Sequence, residues 1–120
     1  MIQRFSRGKV VSHLAEMNRT NADNTEAIAA LVDCRHDDAQ QRVLVAARSE
    51  DPKHALAAHW IEAVIALDRR DTAAARALYP RLVQLDEDAT DVAAAEATAL
   101  DLVSKLEDTR AEFGRPRRCQ

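Results

Sequence analysis

Residues 51–68 read DPKHALAAHWIEAVIALD, and this stretch decides the fold. Asp51 followed by Pro52 is a helix start: the carboxylate accepts first-turn N–H groups, and a proline at the first helical position loses nothing by lacking one. Behind it come Leu56, Trp60, Ile61, Val64, Ile65 and Leu67, padded by Ala55, Ala57, Ala58, Ala63 and Ala66. So wide an apolar arc belongs to a helix packed on more than one side. The spacing predicts a central helix over 52–68, with Trp60 as its largest single burial.

Working outward, Asp71 caps a helix over 72–86 that turns Ala74, Ala77, Leu78, Leu82 and Leu85 inward. Pro80 falls inside it and removes the bond to the Arg76 carbonyl, so a kink rather than a break is expected. A last helix over 90–107 presents Val92, Ala95, Ala99, Leu102, Val103 and Leu106. Upstream, Asp23 with Glu26 forms a capping-box-like start for a helix over 24–35 carrying Ala27, Ile28, Leu31 and Val32. Asp38 with Gln41 opens another over 38–50, with Val43, Leu44 and Ala47. Val10, Val11, Leu14 and Met17 suit a short helix over 9–18. Short connections make neighbouring helices antiparallel hairpins. The expected fold is all-α: five or six helices in a short solenoid or an antiparallel or orthogonal bundle.

Composition agrees. Of 120 residues, 24 are alanine, two glycine and three proline, which excludes collagen, low-complexity disorder and most β-sandwiches. The length suits one domain, placed over 1–109. The net charge of −3 is unevenly spread: residues 1–19 and 110–120 are each net +3, and 20–109 are net −9. An acidic body repels a phosphate backbone, so nucleic acid is not an expected partner. The basic ends are the one feature suiting a DNA- or RNA-associated regulator. Residues 110–120 share none of the helical periodicity and are expected to be a basic tail, disordered or non-native. No apolar run approaches the ~20 residues needed to cross a bilayer, and the N-terminus lacks an apolar signal core. A cytoplasmic protein with no membrane contact is expected. Cys34 lies in a helical pattern and Cys119 next to the end, so no structural disulfide is expected; Cys34 reads as a small buried hydrophobe.

Residues 67–88, LDRRDTAAARALYPRLVQLDED, resemble the second half of a tetratricopeptide repeat. In that family an acidic turn is followed by an alanine, a large or aromatic residue four later, a small apolar residue and an end like Leu-Asp-Pro. Asp71, Ala75, Tyr79, Leu82 and Leu85-Asp86-Glu87 take those roles here. Leu44, Ala47 and Pro52 are echoed by Tyr79, Leu82 and Glu87 at a spacing of 35, and Trp60, Ala63 and Ala66 stand in the preceding helix. The resemblance spans 22–107. It implies a non-catalytic scaffold that binds a protein or peptide on the surface lined by the first helix of each pair. The candidate partner surface is Trp60, Val64, Tyr79, Ala95, Ala99, Leu102, Val103 and Leu106. A homodimer is expected, because twofold pairing is the commonest way to cover an apolar face.

Four histidines supply the only acid–base or metal-binding material to weigh against that reading. His36-Asp37 is the dipeptide of HD-type metal phosphohydrolases, but at a helix junction Asp37 is ordinary capping chemistry. His59 and Glu62 share a helix face as a surface pair. Asp86, Glu87, Asp88 and Asp91 match a calcium loop only in charge: the sixth position is Asp91 and the twelfth Ala97, where glycine and glutamate belong. Trp60 and Tyr79 read as core packing before they read as a pocket wall. No catalytic residue, metal site or cofactor is assigned.

Overall fold

The computed structural model describes residues 21–120; the helix expected over 9–18 lies outside them. The described residues form five α-helices and no strand: α1 (Ala22–Val32), α2 (His36–Ala46), α3 (Pro52–Asp68), α4 (Thr72–Leu85) and α5 (Val92–Glu112). The expected all-α class is what the chain adopts. α1 pairs with α2 and α3 with α4; α3 also meets α1, α2 and α5, and α5 packs on α3, α4 and the end of α1. α3 is thus the centre, as its apolar arc requires.

The starts follow from side-chain acceptors. Asp51, Asp71 and Asp91 each cap the helix that follows, accepting from the N–H groups of Lys53, Ala74 and Ala94 at 2.9, 3.1 and 2.7 Å. Two expected starts shift. The cap of α1 is Asn21, which accepts from Asn24 at 2.9 Å, so Asp23 lies within the first turn. α2 begins at His36 rather than near Asp38, and no side chain caps it. α4 runs through Pro80 unbroken.

The core joins Ile28 and Leu31 of α1, Val43 of α2, Trp60, Ile61, Val64 and Ile65 of α3, Tyr79 and Leu82 of α4, and Ala95, Ala99, Leu102 and Leu106 of α5. Trp60 is only 4% exposed, and its indole N–H donates to Asp86 at 2.9 Å, pinning the turn after α4. Asp86 also accepts from the Asp88 N–H, which makes the acidic run a turn.

The expected partner surface needs correction. Trp60, Val64, Tyr79, Ala95, Ala99, Leu102 and Leu106 are all buried, and Val103 is partly buried against the same core. Because α1, α3 and α5 pack on one another, the surface that the repeat resemblance assigned to a partner is consumed within the chain. Hydrophobicity alone does not say whose surface covers it.

Tyr79 shows what this packing costs. Its hydroxyl is buried without a hydrogen-bond partner among the described residues, and its pKa is raised, first by burial and then by Glu96, against a smaller opposing effect of Arg76. Removing an unsatisfied polar group relieves its desolvation. Tyr79→Phe is therefore expected to leave the fold intact and raise stability by up to about 1 kcal/mol. Urea unfolding checks this; a loss beyond about 1 kcal/mol would mean that the hydroxyl is hydrogen-bonded after all.

Candidate functional site

The C-terminal ends of α1, α3 and α5 meet at one end of the molecule, and each finishes in the same way. Cys34, Arg70 and Gly114 follow the three helices with φ of 60°, 65° and 74°. In each case this residue's N–H and the next one's reach back into the last turn: Cys34 to Leu31 and Arg35 to Ala30, Arg70 to Leu67 and Asp71 to Ala66, Gly114 to Ala111 and Arg115 to Arg110. These are Schellman closures. Glycine serves the third without strain, whereas Cys34 and Arg70 hold a left-handed conformation unfavourable for a side chain.

Three helix ends bring three sets of carbonyls and partial negative charge together. The chain answers with Arg110, which is fully buried. Nε and Nη2 donate to the Leu31 carbonyl at 3.2 and 2.6 Å. Nη1 and Nη2 grip the two oxygens of Asp68 at 2.9 and 2.6 Å, and Nη1 also reaches the Arg117 carbonyl at 3.0 Å. A guanidinium has five N–H groups, and these contacts use all of them. The buried cation is neutralised and saturated, the condition under which a buried charge is tolerated.

Asp68 is the hub. His36 Nε2 lies 2.7 Å from its Oδ2, so that nitrogen carries the hydrogen, since a carboxylate only accepts. Burial alone would raise the Asp68 pKa; the hydrogen bonds and charges of Arg110, then of His36, outweigh it and hold the carboxyl below the usual aspartate range. The Cys119 sulfur stands 3.5 Å from the same Oδ2 and is bonded to Cys34 in a disulfide spanning 85 residues.

This bond overturns the expectation that no disulfide forms, and with it two others. Cys34 is exposed and cross-linked rather than a buried hydrophobe. The segment after residue 109 is folded back on the body rather than lying outside it. α5 continues to Glu112, Arg115 pairs with Asp33, Arg117 with Asp108, and Arg118 with Glu107 at 3.6 Å. The basic tail and acidic body seen in the sequence thus meet. The missed signal was register: Thr109 and Arg110 continue the inward face of Leu102 and Leu106, but as polar residues they end an apolar pattern. Thr109 satisfies its hydroxyl on the Lys105 carbonyl at 2.9 Å.

The disulfide forms part of the wall of an open cleft of about 830 Å³, lined also by Arg35, His36, Asp37, Asp68, Arg69 and Arg70. His36 and Asp37 do not converge there as a ligand pair. His36 faces Asp68, while the largely exposed Asp37 carboxylate takes Arg69 at 2.5 Å. His36, Asp68 and Cys119 do offer donor atoms within 4.8 Å of one another. In this form, however, both Asp68 oxygens are held by a guanidinium and the sulfur is bonded to Cys34. The cluster acts as an ion-pair network beside a disulfide. His59 and Glu62 stand apart from it as a 3.4 Å pair on α3.

No helix among the described residues is long and apolar enough to cross a membrane. Set against models of known protein families, curated proteins and solved structures, the chain matches none.

Proposed function

We propose that this chain is a non-catalytic protein–protein interaction module of stacked, tetratricopeptide-like helical hairpins, and that it pairs with a second copy of itself through the outer face of α5. With the inner face of α5 consumed by the core, the contact moves to its other side. The observation that carries this reading is exposed apolar surface along α5: Leu100 is 51% exposed on the side away from the core, with exposed Ala93 and Ala97 near it, and Val92, the first residue of the helix, is 47% exposed. Leu85, 46% exposed, flanks the same turn from the end of α4. Large apolar side chains gathered along one helix mark a contact face more strongly than scattered ones do. The pairing of helices supports the repeat resemblance: α1–α2 and α3–α4 are hairpins, and the left-handed closures after α1 and α3 recur at a spacing of 36.

A cytoplasmic location belongs to this reading, and the disulfide sets its terms. In a reducing cytosol such a bond is transient and responsive rather than permanent.

Light scattering over a range of concentrations tests the pairing. The wild type is expected to dimerise, and Leu100→Asp to remain monomeric with unchanged helicity. A wild type that stays monomeric at every concentration would rule out self-association through this face.

A further inference from the structure

We propose that Cys34–Cys119 is a redox-active disulfide that exchanges with a small, carboxylate-bearing thiol docking in the cleft beside it. This goes beyond the interaction reading and does not depend on it.

Three observations converge. First, the two cysteines are unequal: Cys34 is an exposed residue at the cleft, whereas Cys119 is half-buried with its sulfur 3.5 Å from Asp68 Oδ2. An incoming thiolate meets Cys34, and Cys119 becomes the leaving group. Second, a hydrogen-bond partner stands ready for the reduced product: the Asp68 carboxylate does not assist departure of the thiolate, but it holds Cys119 once that sulfur has been protonated. A Cys119 thiol would stand 3.5 Å from a carboxylate oxygen able to accept its S–H, and that carboxylate is held ionised and fixed by Arg110 and His36. Third, the cleft carries an uncommitted cation. Arg35 and Arg69 are paired with neighbouring aspartates, but Arg70 takes part in no ion pair among the described residues and lies exposed on the rim. It suits a carboxylate on the incoming thiol. A cleft of about 830 Å³ has room for a tripeptide-sized molecule.

The chemistry balances. A thiolate attacks Cys34 Sγ, the Cys34–Cys119 bond breaks, and its electron pair leaves on Cys119 Sγ, which takes a proton from solvent. A second thiolate attacks the mixed disulfide at its outer sulfur, releasing the Cys34 thiolate, which is protonated in turn. Two thiols are oxidised to one disulfide, and the protein gains two electrons and two protons.

Glutathione is the probe. The folded wild type, held in millimolar glutathione buffers, is expected to open its disulfide while retaining its helical circular dichroism. Trapping and peptide mapping should find glutathione on Cys34. Presented with glutathione disulfide, Cys119→Ser should be modified at Cys34 at least about tenfold faster than Cys34→Ser at Cys119, because the latter thiol is shielded. Arg70→Glu should slow exchange with glutathione roughly three- to fivefold more than exchange with 2-mercaptoethanol, whose thiolate carries no carboxylate. Opening only with loss of helicity would make the bond purely structural and overturn the proposal. Capture on Cys119, or equal rates in the two cysteine variants, would overturn the assignment of the attacked sulfur. An equal effect of Arg70→Glu on both thiols, or none on either, would overturn the carboxylate-bearing ligand.

Discussion

Reduction of the Cys34–Cys119 bond is expected to lower the unfolding free energy by about 4.5 kcal/mol, the loop-closure entropy recovered when a cross-link spanning 85 residues is removed at 25 °C. The bond joins the end of α1 to the penultimate residue, so nearly every described element lies inside the closed loop. Its effect falls on the unfolded chain, where it forbids most of the open conformations; the folded packing needs little change when it opens. A domain of this size has roughly 5–15 kcal/mol in total, so the reduced form keeps a marginal fold. Urea unfolding of the oxidised protein against the reduced, alkylated one measures the difference at constant sequence. A gap below about 1 kcal/mol would show that the unfolded chain is already compact or that the bond does not form.

Arg110→Met is expected to cost about 3–5 kcal/mol, the penalty for stranding a buried carboxylate after its partner is removed. The substitution keeps most of the apolar stem, so the loss reports the guanidinium. Three sets of groups lose a donor together: the Asp68 oxygens, of which Oδ2 keeps only His36, the Leu31 carbonyl and the Arg117 carbonyl. Acid should attack the same point. The Asp68 carboxyl titrates lower in the folded chain than in the unfolded one, whose value is near 3.8. Its contribution is therefore fully present above about pH 4 and is lost as the pH falls through the folded value. Between pH 5 and pH 2 the wild type should lose stability more steeply than Asp68→Asn, which has no charge to lose. Parallel pH profiles would count against the pair.

How much of this was legible in the sequence depended on whether the signal was local. The helix at Pro52 announced itself through its cap and apolar arc, and Asp71 marked the next start just as plainly. Tertiary closure was not local. Nothing beside Cys34 named Cys119 as its partner across 85 residues. Arg110 sat at a core-facing position of α5, but a charged residue three or four after the last leucine reads as a helix leaving the core. Only the convergence of three helix ends makes a buried cation favourable there, and no single stretch of sequence shows it. The hub residue Asp68 carries no local mark either: an aspartate ending a helix reads the same whether or not a buried cation meets it. The partner surface failed in the opposite sense: Trp60 and the α5 seam were rightly seen as apolar, but the covering surface came from the chain itself.

A double-mutant cycle on Arg110 and Asp68, read by urea unfolding of the oxidised protein at neutral pH, tests most directly the claim that this buried pair closes the fold. Arg110→Met and Asp68→Leu should each destabilise by several kcal/mol, and the double variant by far less than the sum, leaving a coupling of about 2 kcal/mol or more. Additivity within about 0.5 kcal/mol would contradict the account, because the two side chains would then act independently and the end of α5 would be held by something else.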